Sequence, residues 1–97
     1  MHARIVTSHI QVGKIDEAIQ IWREKVIPTL KGAQGFKSGY MTGDRQTGKG
    51  VAVTFWETEA DAAYWNSSGK YQEVIAHFAQ LFTAPPSLEQ FEVFLQV

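Results

Sequence analysis

Hydrophobic and polar positions along the chain change period from element to element, and each change predicts a boundary. Residues 3–12 carry β-branched side chains in a mixed pattern that stops at Gly13, as a strand partly covered on both faces would. From Lys14 the spacing turns helical, with Ile15, Ala18, Ile19, Trp22 and Val26 on one stripe. Asp16 and Glu17 fall in its first turn and Lys25 and Lys31 toward its end, where the helix dipole favours each sign of charge. Pro28 lacks an amide hydrogen and clashes with the carbonyl of Glu24, so an irregular last turn is expected before the stop at Gly32.

Two extended runs, 36–42 and 51–56, flank the polar, Gly-rich segment 43–50, which is the pattern of a β-hairpin with a long turn. Thr58 can cap a second helix, with Asp61 three residues on in a weaker form of the capping box. Asn66, Ser67, Ser68 and Gly69 interrupt that helix, and Tyr71, Val74, Ile75, Phe78 and Phe82 then resume helical spacing. One interrupted helix over 59–82 is expected. Pro85 and Pro86 forbid its continuation, and residues 88–97 alternate as a closing strand that ties down the C-terminus.

The order β-α-β-β-α-β predicts an α+β, ferredoxin-like fold: a four-stranded antiparallel sheet with two helices on one face, as a single domain over residues 1–97. The strands carry apolar side chains at both parities, so the face without helices also needs a cover. A second copy docked sheet to sheet would supply it, and a homodimer is the expectation.

Composition narrows the chemistry. Nine Lys plus Arg against ten Asp plus Glu, dispersed along the chain, provide no basic stripe for nucleic acid. The absence of cysteine removes disulfides, thiolate nucleophiles and thiolate-ligated metals, and a cytoplasmic location fits. No segment approaches the roughly 20 apolar residues that span a bilayer, and no membrane association is expected. Gly43, Gly48 and Lys49 nearly match a phosphate-binding loop. Gly50 replaces the hydroxyl residue that would hold magnesium, and a strand follows where a helix is required, so the segment reads as a hairpin turn. His2, His9, His77 and the scattered acids show no metal-ligand spacing, and no metal site is expected.

Candidate site residues cluster around the helix break. Trp65 and Tyr71 flank it, with Asp61 one turn before Trp65, and an irregular turn there could open a crevice walled by the two rings, suited to a flat aromatic guest. Ordinary core packing is the other reading of both aromatics. His9 lies on the first strand beside Thr7, Ser8 and Gln11, where an imidazole could line a pocket and relay protons. His77 falls about 120° from the centre of its helix's apolar stripe, as a partly exposed flank residue or a proton carrier.

Several of these features together resemble the antibiotic biosynthesis monooxygenase family of dimeric α/β-barrel proteins, over nearly the whole chain. They are the element order, Lys31-Gly32 and Gly35-Phe36 at the step into strand two, the run Thr54-Phe55-Trp56-Glu57-Thr58, and the stretch from Trp65 to Tyr71. The resemblance implies a homodimer with facing sheets and a pocket in each subunit between helices and sheet. It implies a monooxygenase acting with O₂ on an aromatic phenol, quinol or anthrone, without flavin, metal, haem or other cofactor. On that reading Trp65 and Tyr71 hold the ring, Asp61 or His9 orients it or accepts a proton, and Tyr40 lines the wall. Some members have Asn where Asp61 stands. Haem degradation is a minor further reading: haem-degrading relatives have an Asn on the first strand, a Trp, which Trp65 matches, and an iron-ligating His in the second helix; strand one has no Asn, and the ligand position is Ile75, with His77, a candidate ligand in another register or a substrate-binding residue, two residues later. The alternative class is a non-enzymatic dimeric domain that binds an aromatic metabolite or serves a stress-associated role.

Overall fold

Strand periodicity, one helix cap and one widened helical turn set the architecture. The computed structural model describes all residues, Met1–Val97. Strand β1 (His2–Ile10) leads through a short 3₁₀ turn (Val12–Lys14) into α1 (Ile15–Ile21), a π turn (Trp22–Val26) and α2 (Ile27–Lys31). The hairpin of β2 (Phe36–Gly43) and β3 (Lys49–Trp56) follows, then α3 (Glu59–Ser67), α4 (Lys70–Ala76) and β4 (Phe82–Glu92). The four strands form one antiparallel sheet in the order β2-β3-β1-β4, which is the ferredoxin-like α+β arrangement. None of the helices is long and apolar enough to cross a membrane.

The irregularity foreseen at Pro28 lies upstream of it. Ile27 N–H reaches back to Trp22 O, five residues away, so the helix widens by one residue before the proline rather than after it. Pro28 then occupies the first turn of α2, where its missing N–H is harmless, and Thr29 Oγ1 donates to Lys25 O at 2.9 Å.

The second helix and the last strand are corrected. Helical structure ends at Ala76 rather than near residue 82, because Phe78 and Leu81 close turns onto Ile75 and Phe78. The closing strand begins at Phe82, not at residue 88, and includes both prolines. Pairing runs Thr7 to Ser87 and then His9 to Ala84, so Pro85 and Pro86 sit in a bulge of an edge strand, where a missing N–H breaks no ladder bond. The strand also ends early. Val93 N–H donates to Met1 O, β4 stops at Glu92, and Phe94 and Leu95 are 84% and 89% exposed instead of tied down.

The core lies between the helices and the sheet. Trp56 is fully buried at its centre, edge-on to Phe36 at 5.5 Å between ring centroids and tilted against Trp65 at 5.6 Å. Its indole N–H donates to Thr54 Oγ1 at 2.9 Å, so the one polar atom of this ring is satisfied inside the core. The capping prediction holds: Thr58 accepts from Asp61 N–H at 3.1 Å. Gly69, in the left-handed region at φ 87°, breaks α3 from α4 at the predicted place. On the other side of the sheet, Ile5, Val53 and Phe55 are half-buried, and Tyr40 and Phe91 are 63% and 51% exposed.

Candidate functional site

A chamber of about 70 Å³ opens between the sheet and the helices, and twelve of its sixteen lining residues are hydrophobic. Its floor follows from strand parity. Arg4, Val6, Ser8 and Ile10 of β1 and Gly50, Ala52 and Thr54 of β3 point to this face, and Trp65, Tyr71, Val74 and Phe78 descend from the helices and the turn after them. Trp22, Leu30 and Met41 line both this chamber and an open groove of about 590 Å³ between the first helical arm and β2. The groove and the chamber therefore adjoin, and these three side chains form their common border.

Trp65 and Tyr71 both line the chamber. Asp61 does not. It faces an outer crevice that includes Gln34, Tyr64 and Ser68, and Trp65, which borders both spaces, separates it from the chamber. Gln34 Nε2 donates to Asp61 Oδ1 at 3.3 Å, and Gly35 packs against the same carboxylate so closely that a Cβ there would overlap it. Gly35 also has φ 77°, which favours glycine independently.

His9 and Tyr40 lie elsewhere. His9 pairs with Lys49 and Ala84 and shares the parity of Ala3, Ile5 and Thr7, on the sheet face away from the helices; Thr7 and Ser8, which seemed to make one polar neighbourhood, point to opposite faces. Tyr40 pairs with Val53 on that same open face. His77 caps the end of α4, is exposed, and borders none of the three main cavities. Nowhere do three His, Asp or Glu side chains converge as metal ligands. The chamber holds no histidine, so its residues do not fit the histidine-ligated haem that the family resemblance raised.

Arg4 is the residue that sequence reading missed. It is 4% exposed, yet it carries a full charge on the same face as Val6 and Ile10. Its Nε donates to Asn66 Oδ1 at 2.6 Å, and its guanidinium carbon lies 4.0 Å from the centroid of the Tyr71 ring. Its Nη2 is buried without a hydrogen-bond partner. Burial pushes the Arg4 pKa below its ordinary value, and the nearby Tyr71 opposes that shift. The available signal was parity: a charged residue two before Val6 and six before Ile10 on a strand must share their face.

The chamber is thus apolar, walled by two aromatic rings, and electropositive at one end. Its other polar side-chain groups include the hydroxyls of Ser8, Thr54 and Tyr71, and the Thr54 hydroxyl already accepts from Trp56 and donates to Arg4 O. No carboxylate or imidazole lines it.

Comparison with known proteins extends this description. The family model described as antibiotic biosynthesis monooxygenase matches residues 1–77. Rv2557 of Mycobacterium tuberculosis, an uncharacterised protein, is 31% identical over 93 residues, which are 96% of this chain but 41% of that one. The chain thus spans less than half the length of the curated relatives it matches. Among solved structures, a monooxygenase from the ActVA-Orf6 gene of Streptomyces coelicolor, in complex with nanaomycin D, superposes with a TM-score of 0.82 at 14% identity. That match covers 99% of this chain and 89% of the other. A MhuD variant with two manganese protoporphyrin IX molecules per active site superposes with a TM-score of 0.78 at 21% identity, covering 100% and 98% of the two chains. Such identities show a shared fold. The family match, running from β1 past the Trp65 and Tyr71 walls to the end of α4, shows more: this chain belongs to the antibiotic biosynthesis monooxygenase family.

Proposed function

We propose that the chain is a cofactor-independent monooxygenase that joins O₂ to an aromatic phenol, quinol or anthrone held between Trp65 and Tyr71. The observation that carries this reading is the aromatic-walled chamber itself, which family membership assigns to a monooxygenase-type fold. A chamber of about 70 Å³ is smaller than one aromatic ring needs, so the guest occupies chamber and groove together across Trp22, Leu30 and Met41. Met41 is the adaptable member of that border, since an unbranched thioether repacks readily around a ligand.

The chemistry is balanced without a further reductant. A phenol with a free ring C–H and one O₂ yields a quinone and one water: one oxygen atom becomes the new carbonyl, the other leaves as water, and the substrate supplies all four electrons. The contribution of the protein is to desolvate an electron-rich ring and hold it against O₂. Trp65 and Tyr71 supply the contact surface. Asp61 acts behind Trp65, by fixing the α3 end against Gly35, rather than on the substrate.

The working unit is a homodimer through the open sheet face, where Ile5, Val53 and Phe55 are half-buried and Tyr40 and Phe91 exposed, so that a second copy would cover them.

The test is oxygen uptake by the purified protein over hydroquinones, naphthols and anthrones, against a heat-denatured control. Uptake above that control with one labelled atom from ¹⁸O₂ in the product is the expected result. A second reading, a dimeric domain that binds an aromatic metabolite without turnover, is favoured by the absence of a carboxylate or imidazole in the chamber. Ligand retained in native mass spectra with no uptake on any substrate would decide for it.

A further inference from the structure

Resting on the reading of the chamber as a small-molecule site, we infer that Arg4 is its anion-recognition residue, and that the ligand is an aromatic compound carrying an oxyanion, a carboxylate or an ionised phenol.

Three observations converge on this. First, Arg4 is 96% removed from solvent and belongs to none of the four ion pairs of the molecule, so its charge is buried without a counter-ion. Uncompensated buried charge is strongly unfavourable, and a fold does not retain it on a core-facing strand position by packing alone. Second, the side chain is held on two sides and unfinished on a third. Asn66 takes the Nε hydrogen, the Tyr71 ring covers one face of the guanidinium, and Nη2 donates to nothing. Third, Arg4 borders the chamber, whose lining offers hydroxyls but no acidic side chain, so a ligand entering it would supply the anionic partner that the protein does not.

The guanidinium is planar and presents donors in a fixed fork, which matches two oxygens of a carboxylate or one phenolate oxygen with high geometric selectivity. Tyr71 and Trp65 lie beside that fork, so the charged end of a ligand meets Arg4 while its ring meets the aromatic walls. An electron-rich ring bound as its oxyanion is also the form that reacts with O₂, so the anchor would favour the reactive ionisation state without a protein base.

The experiment titrates the protein with 1-naphthoate, 1-naphthol and 1-naphthylmethanol, following tryptophan fluorescence and calorimetric heat. Wild-type protein is expected to bind naphthoate roughly tenfold or more tightly than naphthylmethanol, the scale of a desolvated charge-assisted bond. Arg4→Met removes that preference and leaves naphthylmethanol binding within about threefold of wild type. Arg4→Lys, which keeps the charge and loses the fork, gives an intermediate preference and serves if the Met variant does not fold. If naphthol gains affinity as it ionises, the anchor accepts phenolates as well as carboxylates; a gain for naphthoate alone assigns the carboxylate.

Equal binding of naphthoate and naphthylmethanol overturns the inference, as does a parallel loss of both in either variant. Failure of all three compounds to bind wild-type protein overturns it together with the reading of the chamber. Arg4-dependent binding without oxygen uptake leaves the inference standing and removes only the monooxygenase reading.

Discussion

The guanidinium carbon of Arg4 lies 4.0 Å from the centre of the Tyr71 ring, joining the first strand to the helix that follows the Gly69 break. A buried cation on an aromatic face is worth roughly 0.5–2 kcal/mol, and here it links two elements 67 residues apart in sequence. Tyr71→Phe keeps the ring face and should cost less than about 1 kcal/mol. Tyr71→Ala removes ring and contact together and should cost about 2–4 kcal/mol. Urea unfolding of the two variants decides the matter: equal losses would place the stabilisation in the hydroxyl rather than the ring.

Trp56 is the keystone of the core, packed between Phe36 and Trp65 and fully buried. Trp56→Ala is expected to lose about 3–5 kcal/mol, through the cavity left behind and the lost donor to Thr54. A midpoint in chemical denaturation close to that of the wild type would contradict this placement.

Gly35 carries two separable constraints, a left-handed backbone and contact with the Asp61 carboxylate. Gly35→Ala should destabilise by roughly 1–3 kcal/mol. Adding Asp61→Ala should recover part of that cost, leaving the backbone component. A double-mutant cycle measures the coupling, and strict additivity would mean that the carboxylate moves aside without penalty.

Trp65 borders the chamber on one side and the Asp61 crevice on the other. On an active substrate, Trp65→Leu and Tyr71→Leu, which remove the ring contacts, should each lower kcat/KM by roughly tenfold. Asp61→Asn should change turnover less than either, because the carboxylate does not reach the chamber. Steady-state oxygen uptake compares the three, and an Asp61→Asn effect exceeding both others would reverse the assignment of roles.

On the open face of the sheet, Val53 pairs with Ile5 and Tyr40 near the centre. Val53→Lys should convert a dimer into monomers at micromolar concentration, since the proposed interface would have to bury an unpaired charge. Sedimentation equilibrium reads the mass directly; a wild-type mass of one chain would remove the dimer altogether.

The sequence carried the element order because period is local information. The hairpin and the Thr58 cap were legible from a few neighbouring residues, and the family resemblance rested on the same stretches. What failed was non-local. Pro85 and Pro86 read as strand breakers, and only their location on an edge strand, which depends on how β1 pairs, makes them harmless. The helix break marks Trp65 and Tyr71, which line the chamber. His9 and Tyr40 were misplaced because their strands are apolar on both parities, so alternation alone did not say which side faces the helices. Arg4 was overlooked for the same reason, although its parity with Val6 and Ile10 held the answer.

The π turn makes length a specification. Trp22 opens that turn, and Leu30, eight residues later, borders the same two cavities. The wide turn takes up one residue more than a regular helical turn, so the residues on either side of it keep their phase toward the sheet. Deleting one residue there would let the arm close into a regular helix with Leu30 still facing the core. Inserting one, with no second wide turn to absorb it, would rotate everything beyond it by about 100° and carry Leu30 out of the core. The arm is therefore tolerant of shortening by one residue and intolerant of lengthening.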